Sequence, residues 1–156
     1  MEKIGHILLI HYRFDPIALL IRIKTNSYWN HVVWFWDERT ILECKKSGIR
    51  LTWADAYDDK RLYVTKIIKI KNLTSEKEEI INRLLINYPK KVNLLKRMIS
   101  FLMLLWNSNK YLLELTCSGF IALGCAGAGI YFDSEKNPCR ITQGDIANSE
   151  SVEDVT

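Results

Sequence analysis

The sequence predicts an α+β domain in which a central antiparallel sheet packs against helices. Three observations carry this. Short runs rich in β-branched and aromatic residues fill residues 4–70, with hairpin-like polar turns at 37–39 and 46–48. Apolar residues then recur at helical spacing over residues 75–127. At 156 residues, 48% hydrophobic and 26% charged, the chain has the composition of a globular protein with one buried core.

The elements follow in order. Ile4 to Tyr12 is short, apolar and β-rich, and reads as a strand. Asp15-Pro16 suits a helix start, because proline is tolerated in the first helical turn. Ile17, Leu20 and Ile21 recur at helical spacing, so a short helix is expected over 16–24. Thr25-Asn26-Ser27 is a loop, and His31 to Trp36 is a β-branched, aromatic strand. Asp37-Glu38-Arg39 makes a hairpin turn, and Thr40 to Cys44 returns as the partner strand. Lys46-Ser47-Gly48 turns again into a strand over 49–53, and a further strand spans 61–70. Ser75 followed by Glu78 fits a capping box. A helix is expected over 75–88, stopped by Pro89, and a second over 92–106. Residues 111–115 link to a third helix from Cys117 to about Gly127, whose Gly119, Ala122, Gly124 and Ala126 would let another element pack closely. A loop covers 133–142, and Gln143 to Ala147 forms a short turn. No repeat or linker divides the chain, so residues 1–156 form a single domain, with 150–156 as a flexible acidic tail.

Lys and Arg total 22 against 18 acidic residues, a net charge of +4. Asp145, Glu150, Glu153 and Asp154 concentrate acid at the C-terminal end, so the body is more basic than the net charge. That balance permits an anionic partner without requiring one. No nucleic-acid-binding motif is present, and no nucleic-acid partner is expected. The four cysteines, at 44, 117, 125 and 139, form no CxxC pair, so neither a zinc site nor another metal or cofactor is expected. They read as reduced thiols. The longest apolar stretch, Met98 to Trp106, is far short of the roughly 20 residues a membrane span needs. The N-terminus lacks the order of a signal peptide. A cytoplasmic location is expected, with delivery by a phage particle or a secretion system as the alternative.

Cys117 stands at the start of a helix, where unshielded backbone N–H groups stabilise a thiolate and a developing oxyanion. Its other reading is a buried structural cysteine, as Cys125 looks to be. His31 opens an aromatic strand, from which it can reach a cleft while held rigid; it can equally be structural, as His6 and His11 are read. A catalytic base needs an orienting group. With a turn at 37–39, His31 and Glu43 fall on the same parity, consistent with one face of the sheet. Glu38 or Asp37 takes that role if the hairpin turns differently. The pattern is a base on one strand, an orienter on the next and a nucleophile at a later helix start.

With these residues the chain resembles the permuted NlpC/P60 papain-like hydrolases, the YiiX-like group, in which the histidine precedes the cysteine. Gly5-His6-Ile7-Leu8-Leu9 is similar to the opening "GDhhh" strand, with His6 in place of the aspartate. Tyr28-Trp29-Asn30-His31-Val32-Val33 is similar to "ysHvg". Ile41-Leu42-Glu43-Cys44 followed by Ser47-Gly48-Ile49 is similar to "viea…gv". Thr116-Cys117-Ser118-Gly119-Phe120-Ile121 is similar to "CSeFva", with Gly119 where an acid is common. Ile141-Thr142-Gln143-Gly144-Asp145-Ile146 is similar to "itPgDla", with glutamine for proline. The resemblance spans residues 4–150 and implies a permuted papain-like fold. It implies a cysteine peptidase or amidase with Cys117 as nucleophile, His31 as base and Glu43 as orienter. The implied substrate is an amide or peptide bond, often in cell-wall peptides; related members process acyl lipids. A peptide or acyl substrate, whether a peptidoglycan fragment or a lipid, is therefore the expected partner. Two alternatives remain open. One is a lipid acyl hydrolase or acyltransferase on the same triad, with residues 98–106 and Trp29, Trp34 and Trp36 accommodating an acyl chain. The other is a non-catalytic binding module.

Overall fold

The computed structural model describes residues 5–45, 48–88 and 116–155. The helix expected over 92–106, the link over 111–115, the stop at Pro89 and the first two residues of the second turn lie outside the described residues. Six strands form one antiparallel sheet: β1 (His6–Tyr12), β2 (His31–Phe35), β3 (Thr40–Lys45), β4 (Gly48–Trp53), β5 (Tyr63–Ile70) and β6 (Val152–Asp154), in the spatial order β4-β3-β2-β1-β5-β6. Four α-helices are described: α1 (Pro16–Thr25), α2 (Ser75–Asn87), α3 (Cys117–Gly127) and α4 (Gln143–Ala147). The architecture is α+β, as the sequence predicts. Among the described residues no helix is long and apolar enough to cross a membrane.

Side chains alternate along each strand, and both faces of the sheet are covered. One face presents Ile7, Leu9, Val32, Trp34 and Leu42 to Ile81 and Leu85 of α2 and to Phe120, Ile121 and Cys125 of α3. Leu8, Ile10, Val33, Phe35 and Ile41 form a smaller cluster on the other face, closed by Tyr57. Tyr57 ends a 3-10 turn, Ala54–Tyr57, that directly follows β4. Trp34 is wholly buried and donates its indole N–H to Asn82 at 2.7 Å; Trp29 and Trp36 pack partly buried against the main cluster.

The small residues of α3 do what their spacing suggests. A Cβ placed on Gly124 would lie 2.6 Å from Leu85 Cδ2 and 2.9 Å from its Cγ, so α2 and α3 close to a distance only glycine allows. All four cysteines are free thiols.

Two expectations are corrected. The N-cap of α2 is Thr74, not Ser75: Thr74 has extended backbone angles and its hydroxyl accepts the Lys77 N–H at 3.3 Å. The cap read at Ser75 therefore moves one residue earlier, which puts Lys77, not Glu78, at the third helical position, where a lysine cannot complete a capping box. The acidic C-terminus is not a free tail. Val152 is buried, residues 152–154 pair with β5, and Glu153 and Asp154 form ion pairs with Lys69 and Lys66 at 2.8 and 2.9 Å. Opposite charges across the strand pair offset the ordering cost of a terminal segment.

Filling the α2–α3 contact tests this packing. Gly124→Ala should lower stability by about 1–3 kcal/mol, despite alanine's better helix propensity, because Leu85 has no room to retreat. Urea unfolding followed by circular dichroism measures the loss.

Candidate active site

Cys117 is the first residue of α3. Thr116 caps the helix, its hydroxyl accepting the Gly119 N–H at 3.0 Å. The cap orients the first turn and leaves the Cys117 side chain beside the end of β2. His31 is the first residue of β2, paired with Ile10 of β1. Alternation places His31 on the sheet face of Val33 and Phe35, whereas α3 packs on the face of Val32 and Trp34. The two side chains therefore meet around the end of the strand, close enough for each to shift the other's pKa.

Glu43 sits in the middle of β3, wholly buried with 0% exposure. Its two oxygens are fully engaged. One faces His31 Nε2 at 3.3 Å and accepts the Tyr57 hydroxyl at 2.5 Å. The other accepts Arg50 Nε at 2.8 Å and lies 3.5 Å from Lys45 Nζ. Arg50 is the residue of β4 directly opposite Glu43 in the ladder. Behind His31, Tyr12 and Tyr57 touch through their hydroxyls at 3.3 Å, and the His31 ring lies between 5.9 and 6.2 Å from theirs. Buried Asn30 fixes the approach to His31, accepting Tyr12 N–H at 3.0 Å.

The electrostatics follow from burial set against partners. Burial pushes the Glu43 carboxyl up, but hydrogen bonds from His31, Tyr57 and Arg50 and the charge of Lys45 outweigh it and bring it to about 2. Burial pushes His31 down; the charge and hydrogen bond of Cys117, then Glu43, hold it well above the usual imidazole range. Burial pushes the Cys117 thiol up; the charge and hydrogen bond of His31, the Gln143 amide and the Val32 backbone N–H together bring it below its ordinary value. Cys125, in the same helix, has burial acting alone and is pushed far up. Two cysteines eight residues apart are thus shifted in opposite directions, Cys117 down by its polar partners and Cys125 up by burial alone. Tyr57 and Tyr12 are pushed well up by their own burial and stay neutral donors.

The structure therefore brings Cys117, His31 and Glu43 together. The alternatives for Glu43 are excluded by their positions. Asp37 Oδ1 accepts the Arg39 and Thr40 N–H groups at 2.8 and 2.7 Å and closes the β2–β3 turn, and Glu38 lies in that turn. His11 is stacked on Tyr28 at 4.3 Å with its Nδ1 on the Tyr28 carbonyl, a structural role.

Tyr57, Arg50, Lys45 and Gln143 join the site without being singled out for it in the sequence. Arg50 had a signal: a turn at 46–48 sets it across from Glu43 as a charge pair. Gln143, the first residue of α4, had another, as the glutamine standing where the similar motif has proline. It is buried, and its Nε2 donates to Cys117 Sγ at 3.3 Å. Tyr57 had none, because its reach to Glu43 depends on the 3-10 turn after β4.

No protein-family model matches this chain, and no curated protein matches it.

The depressed Glu43 pKa fixes the sign of one pH dependence. A group whose folded pKa lies below its unfolded value stabilises the fold above that value. Stability from Glu43 should therefore be intact above pH 4.5 and drain away as pH falls toward about 2. Glu43→Gln should remove that part of the acid slope and cost about 1–3 kcal/mol at neutral pH, since Arg50 and Tyr57 lose a charged acceptor. Denaturant midpoints of both proteins across this pH range measure it.

Proposed function

We propose that this chain is a thiol hydrolase of the permuted NlpC/P60 papain-like kind, cleaving an amide or peptide bond, with cell-wall peptides among its candidate substrates. The observation that carries the reading is the series Cys117–His31–Glu43: His31 Nε2 faces Glu43 at 3.3 Å, and the imidazole beside Cys117 helps hold its thiol below the ordinary pKa.

The chemistry balances on these three side chains. The Cys117 thiolate adds to the carbonyl carbon, forming a carbon–sulfur bond and a tetrahedral oxyanion. Collapse breaks the carbon–nitrogen bond, and the imidazolium of His31 gives its proton to the departing amine. A water then loses a proton to His31 and attacks the thioester; collapse breaks the carbon–sulfur bond, releases the acid and leaves the Cys117 thiolate beside the imidazolium, the starting state. Glu43 holds the imidazole through Nε2 and stabilises its charged form. Tyr57, Arg50 and Lys45 hold Glu43 in turn. The Cys117 backbone N–H, at the uncapped first position of α3, is a donor for the oxyanion.

A lipid acyl substrate on the same residues is a second reading, favoured by one observation: the helix beside the site, α1, turns an apolar face to solvent.

Thiol reactivity tests the proposal without knowledge of the substrate. Iodoacetamide alkylation read by mass spectrometry should label Cys117 ahead of Cys44, Cys125 and Cys139 at about pH 6–7, because only a stabilised thiolate reacts there. His31→Ala should move the Cys117 profile toward that of an ordinary thiol near about pH 8.5. Cys117 reacting like an ordinary thiol with or without His31 would refute the hydrolase reading. Against amide and acyl substrates, Cys117→Ser should abolish turnover and Glu43→Gln should lower kcat by about 10²-fold or more.

A further inference from the structure

We infer that α1 and its lead-in are a docking surface for an anionic lipid bilayer, which would hold the Cys117 site at the membrane face. The docking stands on its own observations; its connection to catalysis rests on the hydrolase reading.

α1 turns an apolar stripe to solvent. A surface helix ordinarily buries its apolar stripe and gives charge to water. Here the packed side carries Ile17, Ala18, Ile21, Arg22 and Thr25, and Arg22 lies over the Tyr28 ring at 5.4 Å. The outward side carries Leu19, Leu20 and Ile23, exposed by 51%, 39% and 68%. At 100° per residue these three fall within about 100° of one another, a continuous stripe. Phe14, just before the helix, is 80% exposed. Isolated exposed apolar residues need no explanation, but a cluster of four does.

Charge selects the occupant. Arg13 and Lys24 are exposed at the two ends of the stripe. The acid within this stretch, Asp15, has its carboxylate bound to the Ile17 and Ala18 N–H groups at 2.8 and 3.2 Å as the helix cap. The surface is therefore apolar in the middle and basic at both ends, which matches acyl chains beneath anionic headgroups. A second copy docked by a two-fold axis would set the same basic ends against like charges. The chain leaving α1 leads to the site. Ser27, after α1, lies within 3.2 Å of the position a Gly144 Cβ would take, and neighbouring Gln143 holds the Cys117 sulfur.

Co-sedimentation of the full chain with vesicles tests this. Vesicles of phosphatidylcholine with about a quarter phosphatidylglycerol should bind it, and pure phosphatidylcholine should bind it at least about fivefold less. Leu19→Glu/Ile23→Glu should lower the partition coefficient on the mixed vesicles by about tenfold or more. Arg13→Glu/Lys24→Glu should remove the preference for anionic vesicles and the salt dependence. All four positions are exposed, and unchanged Cys117 alkylation would show that each variant keeps its fold and its site. No binding to mixed vesicles, or equal binding by the Leu19/Ile23 variant, would overturn the proposal. A concentration-dependent dimer abolished by that variant would give the face to a second copy and overturn it equally. Retained vesicle binding with an ordinary Cys117 thiol would leave the docking in place and remove the hydrolase reading instead.

Discussion

A carboxylate with no access to water governs the arrangement of this protein. An isolated buried charge is costly enough that a carboxyl would protonate rather than keep it. Glu43 keeps it because four donors, His31, Tyr57, Arg50 and Lys45, converge from β2, from the 3-10 turn after β4, from β4 and from β3 itself. Each donor demands a feature of the fold. Arg50 requires the β3–β4 register that sets it opposite Glu43. Tyr57 requires the chain to turn back at once after Trp53. His31 requires β2 to begin level with Ile10 of β1. A one-residue slip of β3 would carry Glu43 to the other face, against Trp34 and the side chains of α2 and α3, where none of these donors is found.

The carboxylate also sets the polarity of everything in front of it. A fixed negative charge behind His31 favours the imidazolium, and the imidazolium favours a thiolate at Cys117. Cys117 arrives from the opposite side of the sheet, on a helix that packs over Val32 and Trp34. The two halves of the constellation therefore belong to two different hydrophobic clusters, and the end of β2 is where they touch. Movement of α3 off the sheet would open the pair, and Phe120 and Ile121, buried in one cluster with Val32 and Trp34, resist it.

The local signals were legible in the sequence where periodicity or capping chemistry was strong. The strands over residues 4–53 and the helix beginning at Cys117 were readable because β-branched runs and turn residues alternate cleanly there. The parity of His31 and Glu43 was readable because a short turn leaves few registers. The rest depends on distance in the sequence. Tyr57 reaches Glu43 through a turn with no periodic signature. Residues 152–154 look like solvated acid until Lys66 and Lys69 are placed opposite them. The cap of α2 moves from Ser75 to Thr74 because two adjacent hydroxyl residues offer the same chemistry, and only the entry angle of the chain chooses between them. The roles expected of Cys117, His31 and Glu43 rest on the resemblance of their motifs.

The β2–β3 ladder pairs Trp34 with Leu42 and Phe35 with Ile41, whereas β1 pairs β2 as far as His31. Just outside that short ladder, the Val32 N–H turns to the Cys117 sulfur. This donor belongs to the main chain, so all residues but proline supply it. Replacement of the Val32 side chain would alter packing and leave the thiolate's partner in place. That contribution is hidden from alanine scanning and insulated from sequence drift, in contrast to Gln143, whose amide can be lost in a single codon change.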